Sequence, residues 1–270
     1  MGMALLRQMG SRPKLNRRGA EALRSVLNDH FGDETVDQVY KRRGIALSIP
    51  AVEMTRHRSW VFRTSHLGGR RDNNFSLVDV CMATSAAPIY RSLVDIRDPK
   101  TNHRFVFADG GLWANNPVLV GLTDALDAAP AGADIEIFLL GTNARPTGRF
   151  IKSGDVDWGF GEWRFGGEMA MLSVDAQQYA YDNMARMLLP HLKTSCTIIR
   201  FPHDAAAAAA MRYLDLDETS SSAIRALEAQ ARSDVSHTLG IMRKKATKDA
   251  VTLDALFMEL PVLAGRVRGD

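Results

Sequence analysis

The sequence has little of what would place a protein in a membrane, on nucleic acid or around a metal ion. Its longest strongly apolar run, IEIFLLG (Ile135–Gly141), contains a glutamate and is too short to cross a bilayer. The net charge is only +3 at pH 7, which gives no general attraction to nucleic acid. No spacing among the seven histidines and two cysteines fits a metal site. We therefore expect no nucleic-acid partner and no metal or organic cofactor.

Cysteine is scarce, and the opening residues do not fit a secretory leader. Cys81 and Cys196 are far apart and lie among apolar residues, as is typical of reduced, buried thiols in a cytosolic protein. The opening segment, MGMALLRQMGSRPK, has too few apolar residues for a signal peptide. We expect a soluble cytoplasmic protein, with attachment to a membrane surface as the alternative.

Several catalytic motifs are absent as well. No G-x-S-x-G nucleophile elbow occurs anywhere in the 270 residues. There is no phosphate loop of the G-x-x-x-x-G-K type, and GFGEWR carries Arg164 where a dinucleotide motif requires glycine. The seven histidines show no arrangement that favours a Ser-His-Asp triad. The sequence therefore contains no recognisable serine nucleophile and no nucleotide-binding loop.

What the sequence does contain is an alternation of helical and strand-like patterns. Apolar residues between positions 17 and 31 recur at helical spacing, whereas GIALSIPA alternates as a strand does. The turn formers DPKTN (Asp98–Asn102) predict a hairpin, and Asn116 followed by Pro117 predicts a helix start. The run IEIFLLG is typical of a strand buried in a parallel sheet. These patterns predict an α/β architecture.

One acidic residue stands where such folds often place their chemistry. The strand-like run RFVFA ends at Asp109, which is followed by Gly110 and Gly111. Glycines that adopt positive φ could hold a carboxylate at the carboxyl end of a strand, where ligands collect in α/β sheets. An ordinary Asp-Gly hairpin turn is the alternative interpretation.

Three blocks taken together resemble the patatin-like phospholipase family. They are ATSAAPIY (Ala83–Tyr90), FADGGLWANNP (Phe107–Pro117) and FLLGTNARP (Phe138–Pro146). The resemblance implies a three-layer α/β sandwich with a mainly parallel central sheet. It also implies a lipid acyl hydrolase of the phospholipase A type, acting on phospholipid or another acyl lipid through a serine–aspartate dyad without a catalytic histidine.

Carried onto this sequence, the resemblance makes Asp109 the catalytic aspartate of the D-G-G motif. Asp109 would accept the proton of the serine and later help to deprotonate water. Gly110 and Gly111 complete the motif and would keep the carboxylate exposed at the turn.

The nucleophile elbow and the glycine-rich oxyanion loop of that family precede the region found here. We therefore expect the N-terminal strand and the nucleophile helix to be missing. Residues 1–122 would form the C-terminal part of the catalytic module, and residues 123–270 would continue the same domain. Each missing oxyanion donor is worth about 3–4 kcal/mol of barrier, so the isolated chain is expected to be inactive. Either a second chain supplies the nucleophile, or the sequence begins too late, or the protein is a non-catalytic binding or regulatory module.

Two further groups of residues invite a functional interpretation. Ser85 lies in the first block but lacks the sharp turn that exposes a nucleophile, so we interpret it as a small residue packed at a helix end. Four aromatic residues in a glycine-rich segment could insert at a membrane interface. They could equally pack back onto the domain as a lid or a contact between copies. They are Trp158, Phe160, Trp163 and Phe165.

Overall fold

The structure is a computed structural model that describes residues 12–88, 90–142, 151–159, 161–163, 167–201, 210, 213 and 218–259. The chain divides into two compact units. The first comprises Met1–Ile135 and Phe150–Cys196, and the second comprises Glu136–Arg149 and Thr197–Asp270. The division does not fall at residue 122, and the single continuous domain expected from the sequence stays a prediction.

Helices and strands alternate through most of the first unit. In chain order they are α1 (Arg12–Phe31), α2 (Val36–Arg43), β1 (Ser48–Glu53), β2 (Arg58–Arg63), a 3-10 turn (Ser65–Leu67), α3 (Leu77–Thr84), β3 (Val94–Arg97), β4 (Arg104–Asp109), α4 (Gly111–Ala114), α5 (Val118–Ala128), α6 (Gly167–Leu188) and a second 3-10 turn (Leu189–His191). The mixed α/β class predicted from the sequence is confirmed.

Four strands of the first unit form one sheet in the order β2-β1-β4-β3. Each of its pairings is antiparallel, whereas the sequence predicted a mainly parallel central sheet. Short turns join β1 to β2 and β3 to β4, which favours antiparallel pairing there, whereas β1 and β4 are distant in the sequence. The predicted hairpin at DPKTN is confirmed: it joins β3 to β4, and Asn102 adopts a φ of 56° there.

Parallel pairing occurs in a second, two-stranded sheet made of β5 (Ile135–Leu139) and β6 (Cys196–Arg200). The amide of Ile135 donates to the carbonyl of Ser195, and the amide of Phe201 donates to the carbonyl of Leu139. Both strands therefore run in the same direction, as predicted for IEIFLLG, but the expected burial is wrong, because Ile135 is the only buried residue of β5. In the second unit, Phe138 and Phe201 pack against a small core that includes residues of α7 (Ser221–Lys244) and α8 (Lys248–Glu259).

Aromatic side chains dominate the core of the first unit. Phe62 and Phe107 are almost completely buried, with their ring centroids 5.0 Å apart. Trp60 and Phe75 pack against this pair, and the helices α1 and α3 cover the cluster. Burying one such side chain stabilises a fold by about 1.5–3 kcal/mol, so this cluster anchors the sheet.

Strand β1 is central in the sheet although it contains a proline. Pro50 lies opposite Val61 in the pairing with β2, but its backbone faces the other neighbour: its carbonyl lies against Gly110 and accepts from Thr84. The Val61 carbonyl points away from β1, to the side of β2 where the sheet ends. There the guanidinium of Arg71 donates to it and stacks on Trp60, with its central carbon 3.9 Å from the ring centroid. A side chain thus covers part of the edge of β2.

Within the part of the chain that the structure describes, no helix combines the length and the apolar character that crossing a membrane requires.

Candidate functional site

Asp109 is the last residue of β4, and its backbone is held from two sides. It lies opposite Ala51 in the pairing with β1. Its amide also donates to the carbonyl of Ala86, just after α3, at 3.1 Å. The side chain is half-buried. The structure therefore fixes this carboxylate at the point where two strands and the end of one helix meet.

Gly110 is required by a close approach of backbone rather than by its φ. A Cβ at Gly110 would lie 2.2 Å from the carbonyl oxygen of Pro50, well inside contact distance. Its φ is −67°, in the right-handed helical region, so the positive φ expected at this glycine is wrong. The described glycines that do have positive φ lie elsewhere in the chain.

Gly111 leaves room for the carboxylate and donates to it. Its amide lies 2.6 Å from Asp109 Oδ1. A Cβ at this position would lie 3.0 Å from the same oxygen and 3.3 Å from Asn115 Oδ1. The carboxylate and the amide oxygen of Asn115 thus face one small space above Gly111.

The electrostatic surroundings of Asp109 suit a proton acceptor. Burial raises the pKa of its carboxyl group above the ordinary value, while the Gly111 amide and the positive charge of Arg91 oppose that shift. A general base works best when its pKa lies nearer the operating pH than that of a free carboxylate. The direction of the shift therefore agrees with the predicted role.

Strand β1 also fixes the segments on either side of Asp109. The carbonyl of Pro50 accepts from the hydroxyl of Thr84 at 2.7 Å, at the end of α3. The carbonyl of Ala51 accepts from Trp113 Nε1 at 2.8 Å, in α4. The helix before the site and the helix after it are therefore both tied to the same strand.

The turn that follows α4 is bound to α6. Asn115 donates from its backbone to Gln177 Oε1 at 3.4 Å and from Nδ2 to Gln178 Oε1 at 3.1 Å. Asn116 Nδ2 donates to the carbonyl of Gln178 at 3.2 Å. Its Oδ1 accepts from the Val118 amide at 3.2 Å, but the N-cap position of α5 is Pro117, one residue later than the predicted cap at Asn116.

Ser85 lies at the end of α3 and is turned toward that helix. Its Oγ donates to the carbonyl of Cys81 at 2.8 Å. This placement agrees with the interpretation of Ser85 as a small residue packed at a helix end.

Two of the four aromatics proposed for membrane contact are described. The rings of Trp158 and Trp163 meet edge to face, with centroids 5.1 Å apart, and both side chains are half-buried. Phe160 and Phe165 lie outside the described residues. The membrane contact of this group stays a prediction.

A second acidic site was not found from the sequence. Asp124 on α5 is bound by Arg63, whose Nε lies 3.1 Å from Oδ1 and 3.0 Å from Oδ2. Ser48 also donates its hydroxyl to Oδ2, and His66 Nε2 lies 3.7 Å from that oxygen. The imidazole is itself bonded through Nδ1 to Thr64 at 2.8 Å. The only signal in the sequence was an acid within the apolar helix VLVGLTDAL.

The environment of Asp124 differs from that of a catalytic base. Burial alone would raise its pKa, but the hydrogen bonds from Arg63 and Ser48 and the charge of Arg63 hold the pKa below its ordinary value. A carboxylate neutralised in this way is a poor proton acceptor, so we interpret the cluster as structural. Among the described residues, no group of three or more His, Cys, Asp or Glu side chains could hold a metal ion.

Comparison with known proteins agrees with the resemblance seen in the sequence. Residues 4–122 match the family described as Patatin-like phospholipase. A cGAMP-activated phospholipase of Pseudomonas aeruginosa is 33% identical over 169 residues, covering 62% of this chain and 47% of the relative. One from Vibrio cholerae is 31% identical over 235 residues, covering 79% of this chain and 60% of the relative.

A plant protein also matches part of this chain. Patatin-like protein 4 of Arabidopsis thaliana is 31% identical over 112 residues, covering 42% of this chain and 26% of the relative. The chain spans about half the length of the bacterial relatives it matches, 47% of one and 60% of another.

Proposed function

Because residues 4–122 belong to the patatin-like phospholipase family, we propose that this chain provides the catalytic aspartate for hydrolysis of acyl esters in phospholipids. The observation that carries the proposal is the placement of Asp109. It ends a central strand, it is half-buried, and its pKa is raised by that burial. The Asp-Gly-Gly segment is fixed by its contact with Pro50.

In the proposed reaction, a serine hydroxyl attacks the ester carbonyl while its proton passes to Asp109. The tetrahedral intermediate collapses, and the protonated Asp109 returns that proton to the departing alcohol of the lysophospholipid. Asp109 then takes a proton from water, which attacks the acyl-serine. The fatty acid leaves, and the serine oxygen recovers the proton. Each step uses the carboxylate once as base and once as acid.

The serine and its oxyanion donors are proposed to come from outside these 270 residues, since the sequence contains no G-x-S-x-G elbow. This mechanism requires an elbow from a second chain or from another segment of a longer protein. The same absence favours one alternative, a non-catalytic patatin-like module that binds lipid or regulates a related enzyme.

A fusion assay separates these possibilities. The full chain, alone or fused behind a segment that carries the family's elbow, is incubated with phosphatidylcholine vesicles, and fatty-acid release is measured. We expect no release by the chain alone and measurable release by the fusion. Asp109→Asn should lower the activity of the fusion by about 10²–10⁴-fold. Asp127→Asn, at an exposed position of α5, is the matched control and should leave the rate unchanged.

Three outcomes would contradict parts of this proposal. Hydrolysis by the chain alone, abolished by Asp109→Asn, would remove the need for a second chain. Fusion activity that survives Asp109→Asn would remove Asp109 from the mechanism. A folded but inactive fusion would favour the non-catalytic module.

The bacterial relatives are named for activation by cGAMP, so the assay is run with and without that nucleotide.

We also propose that the protein is cytoplasmic and meets its lipid substrate at a membrane surface through Trp158, Phe160, Trp163 and Phe165. Aromatic side chains favour the interface between lipid and water. Co-sedimentation of the chain with phosphatidylcholine vesicles tests this contact. Trp158→Ala together with Trp163→Ala should reduce the bound fraction, and unchanged binding would contradict the contact.

A further inference from the structure

The turn between α4 and α5 lies near the Asp109 carboxylate and is hydrogen-bonded to α6. This helix lies outside the segment that matches the family. That segment ends at residue 122, and α6 spans Gly167–Leu188. Asn115 and Asn116 together donate to Gln177 and Gln178 of α6 through three hydrogen bonds. The position of the turn therefore depends on a part of the chain that the family match does not include.

The hydrogen bond from Asn115 Nδ2 to Gln178 Oε1 determines which end of the Asn115 amide points toward Asp109. With its N–H₂ group engaged by Gln178, the amide presents Oδ1 to the space above Gly111. Asp109 Oδ1 borders that same space. An amide oxygen and a carboxylate oxygen are both hydrogen-bond acceptors. A water molecule has two protons and can donate to both of them.

We propose that Asn115 is a positioning residue for the reaction at Asp109, and that Gln178 orients the Asn115 amide so that Oδ1 faces the carboxylate. The two oxygens then hold the water molecule that Asp109 deprotonates in the second half of the reaction, each accepting one of its protons. The inference rests on the proposed function. It gives α6 a role in the site, because Gln178 of this helix orients the Asn115 amide oxygen toward the Asp109 carboxylate.

The contacts predict a specific electrostatic consequence. If Gln178 is removed, the Asn115 amide is free to turn its N–H₂ group toward Asp109. A donor aimed at a carboxylate stabilises the ionised form and lowers the pKa. Loss of an ordinary structural contact would loosen the turn without this directed effect. Arg91 is the charged group whose field acts on Asp109, and it stays unchanged in the comparison.

The experiment follows the ionisation of Asp109 in the full chain by NMR with ¹³Cγ-labelled aspartate. The signal is assigned by its absence in Asp109→Asn. Gln178→Leu should lower the titration midpoint by roughly half a pH unit or more. Gln178→Glu keeps an acceptor oxygen for Asn115 and should not lower the midpoint. Gln177→Leu is the matched control, because Gln177 accepts from the Asn115 backbone and not from its side-chain amide, and it should leave the midpoint in place.

A second variant keeps the inference testable if Gln178→Leu does not fold. Asn115→Asp places a second carboxylate at the same space, so the Asp109 midpoint should rise. An unchanged midpoint in Asn115→Asp, a Gln178→Leu midpoint that is not lowered, or equal effects of Gln177→Leu and Gln178→Leu would overturn the inference. The measurement needs no turnover, so its failure is distinguishable from failure of the fusion assay.

Discussion

Two carboxylates in the first unit, Asp109 and Asp124, have pKa values that their surroundings shift in opposite directions. Asp124 is the more deeply buried, with 10% of its side chain exposed, yet its pKa is lowered. Asp109 is only half-buried, and its pKa is raised. Burial pushes both values upward, so the partners decide the difference. Arg63 and Ser48 donate to Asp124, whereas Asp109 receives one amide from Gly111.

The comparison shows how hydrogen-bond partners set the protonation of two acids in one unit. A carboxylate with a full set of donors stabilises the fold but resists protonation. A carboxylate that accepts few hydrogen bonds is less stable in its ionised form and takes up a proton more readily. Removing the negative charge should therefore change the stability at neutral pH in opposite directions at the two sites.

The largest effect is expected at the backbone contact that fixes Asp109. Gly110→Ala would place a methyl group 2.2 Å from the Pro50 carbonyl oxygen, and both groups are rigid. We expect a loss of about 3 kcal/mol in the free energy of unfolding, because overpacking at backbone cannot be relieved by a side-chain rotation. Urea denaturation measures the change.

Gly121→Ala is the matched control for that experiment. No atom lies within 4 Å of a Cβ at Gly121, which is inside α5. Alanine there should stabilise the protein by about 0.5–1 kcal/mol, because glycine is a poorer helix former. If Gly110→Ala were as stable as Gly121→Ala, the close contact with Pro50 would be contradicted.

The next effect is expected from removing the charge at Asp124. Asp124→Asn takes the ionic partner from Arg63, and we expect a loss of about 1.5–3 kcal/mol at neutral pH, the usual value of a hydrogen bond to a charged group. Because the folded pKa is lowered, the contribution is complete above the unfolded pKa of about 4 and is lost as the pH falls through the folded pKa.

Denaturant unfolding of wild type and Asp124→Asn from neutral to acidic pH tests that expectation. The two stabilities should converge as the pH decreases. Asp127→Asn, on the exposed face of the same helix, should differ from wild type by less than about 0.5 kcal/mol. A difference between wild type and Asp124→Asn that is independent of pH would argue against an ionic role.

A smaller change is expected for Gly111→Ala. The new methyl group would lie 3.0 Å from Asp109 Oδ1, so the carboxylate must rotate and its bond with the Gly111 amide must lengthen. An off-rotamer side chain costs about 0.5–1.5 kcal/mol. Weakening that donor should also raise the pKa of Asp109 further, which the ¹³C titration would detect. A lowered midpoint would contradict this arrangement.

The smallest effect on stability is expected for Asp109→Asn, and its sign is opposite to that at Asp124. Because the folded pKa of Asp109 is raised, its contribution is favourable below the unfolded pKa of about 4 and is lost as the pH rises through the folded pKa. Asparagine stays neutral, so the variant should be the more stable protein at neutral pH. The gain should vanish in acid. A variant that is less stable than wild type at neutral pH would contradict the raised pKa.

Local sequence signals predicted much of the region around Asp109. The end of β4 at Asp109, the hairpin at DPKTN and, to within one residue, the start of α5 were all predicted, because each depends on residues that are close together in the sequence. The direction of the pairing between β1 and β4 was not predicted. The strands are distant in sequence, and alternation of side chains is the same in parallel and antiparallel pairs.

The long-range polar contacts could not be derived from the sequence. Ser48, Arg63 and Asp124 come from β1, β2 and α5, and no local spacing links them. The role of Gly110 was also misjudged, because a D-G-G segment suggests positive φ while the actual requirement is the proximity of Pro50. The contact between Asn115 and Gln178 joins residues separated by 63 positions. Such contacts are determined by tertiary packing rather than by propensity.

Arg71 gives the outer edge of β2 a movable cover. Its guanidinium donates to the Val61 carbonyl on the side of β2 where the sheet ends. A side chain can rotate off its acceptor within nanoseconds. We therefore expect this carbonyl to be exposed to water intermittently, while the pairing of β2 with β1 stays intact.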